Sequence, residues 1–162
     1  MLADRMMMSA NGKKELMLFD YGITEVGINA EGSNGSGSTT GTVREEDIYL
    51  YASRSDGFTW ARVMTDLQID LTPYSKICVE WRNNGMNNVN NRSLIGASTG
   101  SSPVRSHLFS TVTSLSRTFD WQVTEHSISH INEPMFVAIA ANDEGPTSTA
   151  TSRIYIRKWW LE

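Results

Sequence analysis

The chain has 162 residues, a net charge of −4, and 40% hydrophobic against 20% charged residues, a length that suits one domain with a real core. The acidic balance argues against a nucleic-acid binder held by phosphate contacts, and neither a transmembrane helix nor a secretory leader is expected from the apolar patterning. Cys78 is the only cysteine, which excludes an internal disulfide and a multi-cysteine zinc site.

Gly, Ser, Thr and Asn supply 57 of the 162 residues, a balance that suits short strands joined by many turns. Residues 1–15, with Met6, Met7 and Met8, show no clear period and read as an N-terminal arm, leaving 16–162 as a single domain. Residues 16–22 form a short apolar run closed by glycine, a first strand. Residues 30–42, AEGSNGSGSTTGT, read as a mobile surface loop, because they offer little to pack. In 47–53, Ile48, Leu50 and Ala52 alternate with Tyr49 and Tyr51. Asp56-Gly57 signals a hairpin turn into a strand over 58–64. Leu67, Ile69 and Leu71 share a face of a strand that Thr72-Pro73 stops. Residues 75–81 are the clearest strand, with Ile77, Val79 and Trp81 inward and Lys76, Cys78, Glu80 and Arg82 outward.

Asn-rich residues 83–91 predict a turn region. Further strands are expected over 93–98, around 107–112, and where Phe119, Trp121 and Val123 alternate with Asp120, Gln122 and Thr124. Residues 135–141, MFVAIAA, suit a central strand buried on both faces, and 153–160 close the domain. Eight to ten short strands without βαβ spacing predict an all-β, jelly-roll-like antiparallel β-sandwich.

Catalytic signatures are weak. The serines and His107, His126 and His130 form no G-x-S-x-G elbow, and the histidines, in polar surroundings, read as surface residues. On a strand, His126 and His130 stand roughly 13 Å apart, too far to share a zinc ion. No metal ligand set and no cofactor is assigned; a loop calcium has hard oxygen ligands available but no D-x-D-x-D-G spacing. The carboxylates offer no pair singled out for glycoside hydrolysis. A buried lone Cys78 reads as inert packing.

The aromatics carry the sharper readings. Tyr49 and Tyr51 face away from Ile48 and Leu50, either as cross-strand packing or as a stacking platform for a pyranose ring. Trp60 follows a turn and fits either role, so Tyr49, Tyr51 and Trp60 are the candidate ligand residues. Trp81 and Trp121 share faces with aliphatic residues and read as core. Trp159 and Trp160 point to opposite faces, so one of them, with Arg157 and Lys158, is a candidate subunit contact.

Residues 69–81, IDLTPYSKICVEW, with the later LIGAST (94–99), FVAIA (136–140) and RIYIRKWW (153–160), resemble stretches of structural proteins of phages and prophages infecting Gram-positive bacteria. The family's G-x-x-C-x-x-x-T-G-G-W stretch is replaced here by residues 21–27, which lack the Cys and the Trp. The resemblance implies a non-enzymatic jelly-roll domain of a tail, baseplate or fibre, structural or adhesive. It further implies other virion or tail proteins as partners, homo-oligomerisation, a possible cell-wall carbohydrate ligand, and location in the virion or, before assembly, in the bacterial cytoplasm. A carbohydrate-binding module using the aromatic platform is the alternative, and a small jelly-roll hydrolase a third. No residue role is implied, because the shared stretches are framework.

Overall fold

Wherever aliphatic and polar residues alternate, the chain is extended, and two faces of alternating strands close on one core. The computed structural model describes residues 7–8, 14–33, 37–54, 58–83, 91–115, 118–143 and 151–162. Among them the strands are β1 (Met7–Met8), β2 (Lys14–Asp20), β3 (Ile28–Gly32), β4 (Gly37–Val43), β5 (Ile48–Arg54), β6 (Thr59–Thr65) and β7 (Ile69–Asp70). They continue with β8 (Lys76–Asn83), β9 (Asn91–Ser98), β10 (Thr111–Leu115), β11 (Gln122–Ser127), β12 (Pro134–Asp143) and β13 (Thr151–Leu161). A single 3-10 turn, Ser106–Leu108, is the only helical element among the described residues.

All pairings are antiparallel, in two sheets. The first is organised on β13, which pairs with β8 along one side and with β5 then β2 along the other; β11, β4 and β1 extend it outward. The second runs β10-β9-β12-β6-β3, with β7 beside β12. The architecture is the jelly-roll-like β-sandwich expected.

Ile48, Leu50, Ile77, Val79, Trp81, Ile154, Ile156, Trp159 and Leu161 from the first sheet meet Ala61, Val63, Ile95, Ala97, Val137 and Ile139 from the second, all fully buried. Strand β12 is covered on both faces, as its unbroken apolar run requires. Outside it, Phe109 closes over Leu94, Met64, Ala138 and Ala140, and the Asn142 Nδ2 donates to the Val104 carbonyl at 2.7 Å. The middle of the second sheet's outward face is thus covered by the chain's own segment 99–110.

Several sequence expectations need correction. Much of 30–42 is strand rather than loop: β3 and β4 are edge strands of opposite sheets, and their glycines let the edges meet, since a Cβ on Gly41 would collide with the Glu31 backbone. Asp56-Gly57 lies outside the described residues; β5 and β6, the strands on either side of it, belong to different sheets and do not pair with each other. Leu67 is 78% exposed and only residues 69–70 pair as strand, because the chain turns there. The strand around 107–112 is a 3-10 turn followed by β10. Residues 84–90, the Asn-rich turn, and most of 1–13 lie outside the described residues; the backbone of Met7–Met8 pairs antiparallel with Glu15 and Lys14, a short strand at the edge beside β2.

β11 reverses its expected facing. Its register against β8 sets Gln122, Thr124 and His126 beside the inward Trp81, Val79 and Ile77. Phe119 and Val123 are left 57% and 53% exposed. The inward polar groups are satisfied: the Trp81 indole N–H donates to Thr124 Oγ1 at 2.9 Å. His126 is therefore not a surface residue. It is buried between the sheets, its Nε2 2.9 Å from Thr111 Oγ1 and its Nδ1 2.7 Å from Thr113 Oγ1, which ties the edge of the first sheet to β10 of the second.

Burial, with His130 as a lesser cause, lowers the His126 pKa. Stability is then fully present above the unfolded-state value of about 6.5 and declines as pH falls through it, because the unfolded chain takes up a proton that the folded one refuses. Thermal unfolding between pH 7 and pH 5 is expected to shift downward by several degrees, roughly, in the wild type. The slope should flatten in His126→Gln; equal slopes in the two proteins would refute this assignment.

Candidate functional site

Because Ile48, Leu50, Ile154 and Ile156 point inward, the intervening residues of β5 and β13 are forced to the outward face of the first sheet. Register then sets Thr42 of β4 beside Tyr49 of β5, Tyr49 beside Tyr155 of β13, and Tyr155 beside Arg82 of β8. Trp121, the residue before β11, completes the row: the Arg82 guanidinium lies 4.9 Å from its ring centre and 5.2 Å from that of Tyr155. One step along, Tyr51 pairs with Arg153.

The rings and guanidinium groups interleave. Tyr49 stacks with Tyr51 at 6.3 Å and 11° between planes, and meets Tyr155 at 5.1 Å and 40°. Arg44 lies over Tyr49 and Tyr155 at 4.8 and 5.6 Å, and Arg153 over Tyr51 at 5.2 Å. Arg157 reaches Trp121 at 4.5 Å and Tyr21 at 5.8 Å. Each such contact contributes roughly 0.5–1 kcal/mol where exposed and more where water is excluded. Tyr49 is half-buried, and desolvation raises its phenol pKa, so it stays a neutral ring and hydroxyl.

Local structure aims the outer members. The register of β13 slips between Ile156 and Lys158, a bulge that re-aims Arg157. Its guanidinium holds Glu80 at 2.5 Å and keeps that carboxyl below its ordinary pKa. Tyr21 takes a left-handed conformation with φ 44°, beside Gly22 at φ 86°, in a two-residue turn closed by the Asp20–Ile23 bridge. A tyrosine pays steric strain there; in return its ring, 53% exposed, stands at the end of the platform beside Arg157. Asn83 and Thr118 exchange hydrogen bonds of 2.9 and 3.0 Å, which fixes the chain leading to Trp121.

The candidate ligand residues do not all come together. Tyr49 and Tyr51 are side by side, but Trp60 lies on the outward face of the second sheet, under an Arg62 guanidinium 5.2 Å away that is itself paired with Glu31. Trp159 is fully buried in the core and offers no subunit contact; Trp160 takes the outward face, with the Lys158 ammonium 5.1 Å from its ring, and Arg157 belongs to the platform. Trp121 is half-buried on the outward face rather than in the core. Cys78 faces outward by parity yet is fully buried, and desolvation pushes its thiol up to about 12, so it is unreactive near neutral pH. Among the described residues no three His, Cys, Asp or Glu side chains are placed to hold a metal ion.

Sequence reasoning missed Tyr155, Arg153, Arg82, Arg44 and Tyr21. The alternation in RIYIRKWW did carry a signal, since two inward isoleucines make Arg153, Tyr155 and Arg157 neighbours on one outward face. Nothing local assigned that face to the same sheet as Tyr49.

No protein-family profile and no curated protein sequence matches the chain. Solved structures share its fold. A family 11 carbohydrate-binding module from Clostridium thermocellum, in complex with a β-1,3-1,4-mixed-linked tetrasaccharide, superposes with a TM-score of 0.55 at 13% identity, covering 91% of this chain and 94% of that one. A point mutant of a family 29 carbohydrate-binding module, CBM29-2, gives 0.56 at 10% identity, over 91% and 83%. The Endo-D glycoside hydrolase domain structure from Streptococcus pneumoniae R6 gives 0.51 at 12% identity, over 83% of this chain but 21% of that one. The domain thus has the β-sandwich fold found in carbohydrate-binding modules.

Proposed function

We propose that the domain is a non-catalytic carbohydrate-binding module whose platform is the outward face of the first sheet. The observation that carries this reading is the row Thr42, Tyr49, Tyr155, Arg82 and Trp121, running across the strands of one sheet. Aromatic faces stack on the apolar faces of pyranose rings, while guanidinium and hydroxyl groups between them meet the sugar hydroxyls. Segment 99–110 covers the middle of the other outward face, over Leu94, Met64, Ala138 and Ala140. The sandwich shared with family 11 and family 29 modules supports the same reading.

The phage-tail resemblance falls on β7, β8, β9, β12 and β13, of which β13 carries platform residues and β8 carries Arg82 one residue beyond the resembling stretch. As a setting for the module we propose a tail-associated adhesin, whose host contact would use this same platform.

Titration calorimetry and tryptophan fluorescence against a panel of neutral and acidic polysaccharides test the binding reading. Saturable binding at roughly micromolar to millimolar strength is expected, weakened by Tyr49→Ala and unchanged by Trp60→Ala. A flat trace against every glycan would overturn it.

A further inference from the structure

We propose that the glycan taken by this platform is an acidic one, bearing carboxylate or sulfate groups; the inference rests on the carbohydrate reading above and adds the charge of the ligand. The chain carries a net charge of −4, yet four arginines, Arg44, Arg82, Arg153 and Arg157, are gathered among the rings of this one face. Two are neutralised from within: Arg44 by Asp47 at 2.5 Å and Arg157 by Glu80 at 2.5 Å. Arg82 and Arg153 have no carboxylate partner among the described residues. The nearby acidic groups, Glu45 and Glu46 in the turn after Arg44 and Asp120 before Trp121, are exposed and pair with neither.

The two unpaired cations flank the middle of the row. Arg82 stands directly across from Tyr155, and Arg153 precedes Tyr155 by two residues on the same face of β13. Both are half-buried, and the Nε of each is sealed from solvent with no hydrogen-bond partner among the described residues. Each head group is positioned over a ring, Arg82 over Trp121 and Tyr155, Arg153 over Tyr51. Ring contact orients a guanidinium without reducing its charge, and an oriented guanidinium fork matches the paired oxygens of a carboxylate or sulfate. A neutral glycan would cover these two cations and leave them uncompensated in a drier setting, which is costly. An acidic glycan supplies the missing counter-charge and the ring faces together.

The test uses the whole protein at low salt, titrated with polygalacturonate and alginate (carboxylate), carrageenan (sulfate), mixed-linked β-glucan and mannan (neutral), and polyglutamate (anionic without sugar). An acidic glycan is expected to bind about tenfold or more tighter than either neutral one, with the advantage shrinking as salt is raised. The carboxylate and sulfate members separate the two sources of charge. Arg82→Gln and Arg153→Gln should each cost about tenfold toward the acidic ligand and less than about threefold toward a neutral one. Lysine at either position should restore only part of the loss, because it keeps the charge and loses the fork. Should Arg82→Gln fail to fold, Arg153→Gln at the platform's margin carries the comparison. Neutral glycans binding as tightly as acidic ones would overturn the charge inference and leave the carbohydrate reading standing. Polyglutamate binding as tightly as the acidic glycans would overturn it in favour of an unselective polyanion surface, and no glycan binding at all would remove both readings.

Discussion

Tyr155→Ala is expected to weaken glycan binding roughly thirtyfold, about 2 kcal/mol, the scale of a central anchor in a binding surface. Tyr155 is where the platform's parts meet. Its ring contacts Tyr49 at 5.1 Å and lies under both Arg44 and Arg82. Removing it deletes a stacking surface and releases two guanidinium groups from the orientation the ring gives them. Tyr51, which meets Tyr49 and Arg153 at the margin, should cost less, about 1 kcal/mol on replacement by alanine. Because Tyr155 is half-buried on an outward face, its loss should lower the thermal midpoint by only a few degrees, roughly. Calorimetric titration of the two variants beside the wild type measures the ratio. Equal small losses for both would show that the rings pack the strands together and do no more.

The largest stability effect is expected at Trp159. Trp159→Ala should cost about 3–5 kcal/mol, a large share of the roughly 5–15 kcal/mol that holds a domain of this kind. The side chain is fully buried on the central strand of the first sheet, between Phe19 of β2 and Val79 of β8 in the register. Phenylalanine at the same position should be far milder. The Trp159 indole N–H is buried without a partner among the described residues, so Trp159→Phe removes an unsatisfied donor while leaving most of the ring. Trp81 makes the contrast, since Trp81→Phe breaks the bond to Thr124 Oγ1 and strands that hydroxyl inside. Urea unfolding of the four proteins checks the order: Trp159→Phe closest to wild type, Trp81→Phe lower, Trp159→Ala lowest. A Trp159→Phe variant as unstable as Trp159→Ala would show that the indole's full volume is essential.

The strands whose two faces meet different surroundings were legible in the sequence. Ile48-Tyr49-Leu50-Tyr51 and Ile77 through Trp81 alternate because one side meets the core, and β12 is continuously apolar because both sides are covered. Alternation failed at β11, where the apolar residues Trp121 and Val123 face out and Thr124 and His126 face in. Hydrogen bonds satisfy the inward polar groups, from Trp81 to Thr124 on the neighbouring strand and from His126 to two threonines across the sandwich, and local alternation encodes neither. Residues 30–42 misled for a related reason: their glycines are set by close approach of β3 and β4, a tertiary fact that composition expresses only as small residues. Two of the platform's tyrosines were visible as outward residues. Arg82 and Tyr155 became their neighbours only through the pairing of β8, β13 and β5, which no local pattern encodes.

The central place of β13 has a consequence for how the protein is made. Its 11 residues supply the hydrogen-bonding partner of β2, β5 and β8 at once. The bond between Ser53 and Thr151 joins positions 98 apart. During translation, β5 and β8 leave the ribosome long before that partner exists, and they wait with bare edges of the kind that pair with other chains. The first sheet can therefore close only once residue 161 has cleared the exit tunnel, after loop closures of high contact order. The aromatic platform, built from side chains on β13 and on the strands either side of it, comes into being in that same late step.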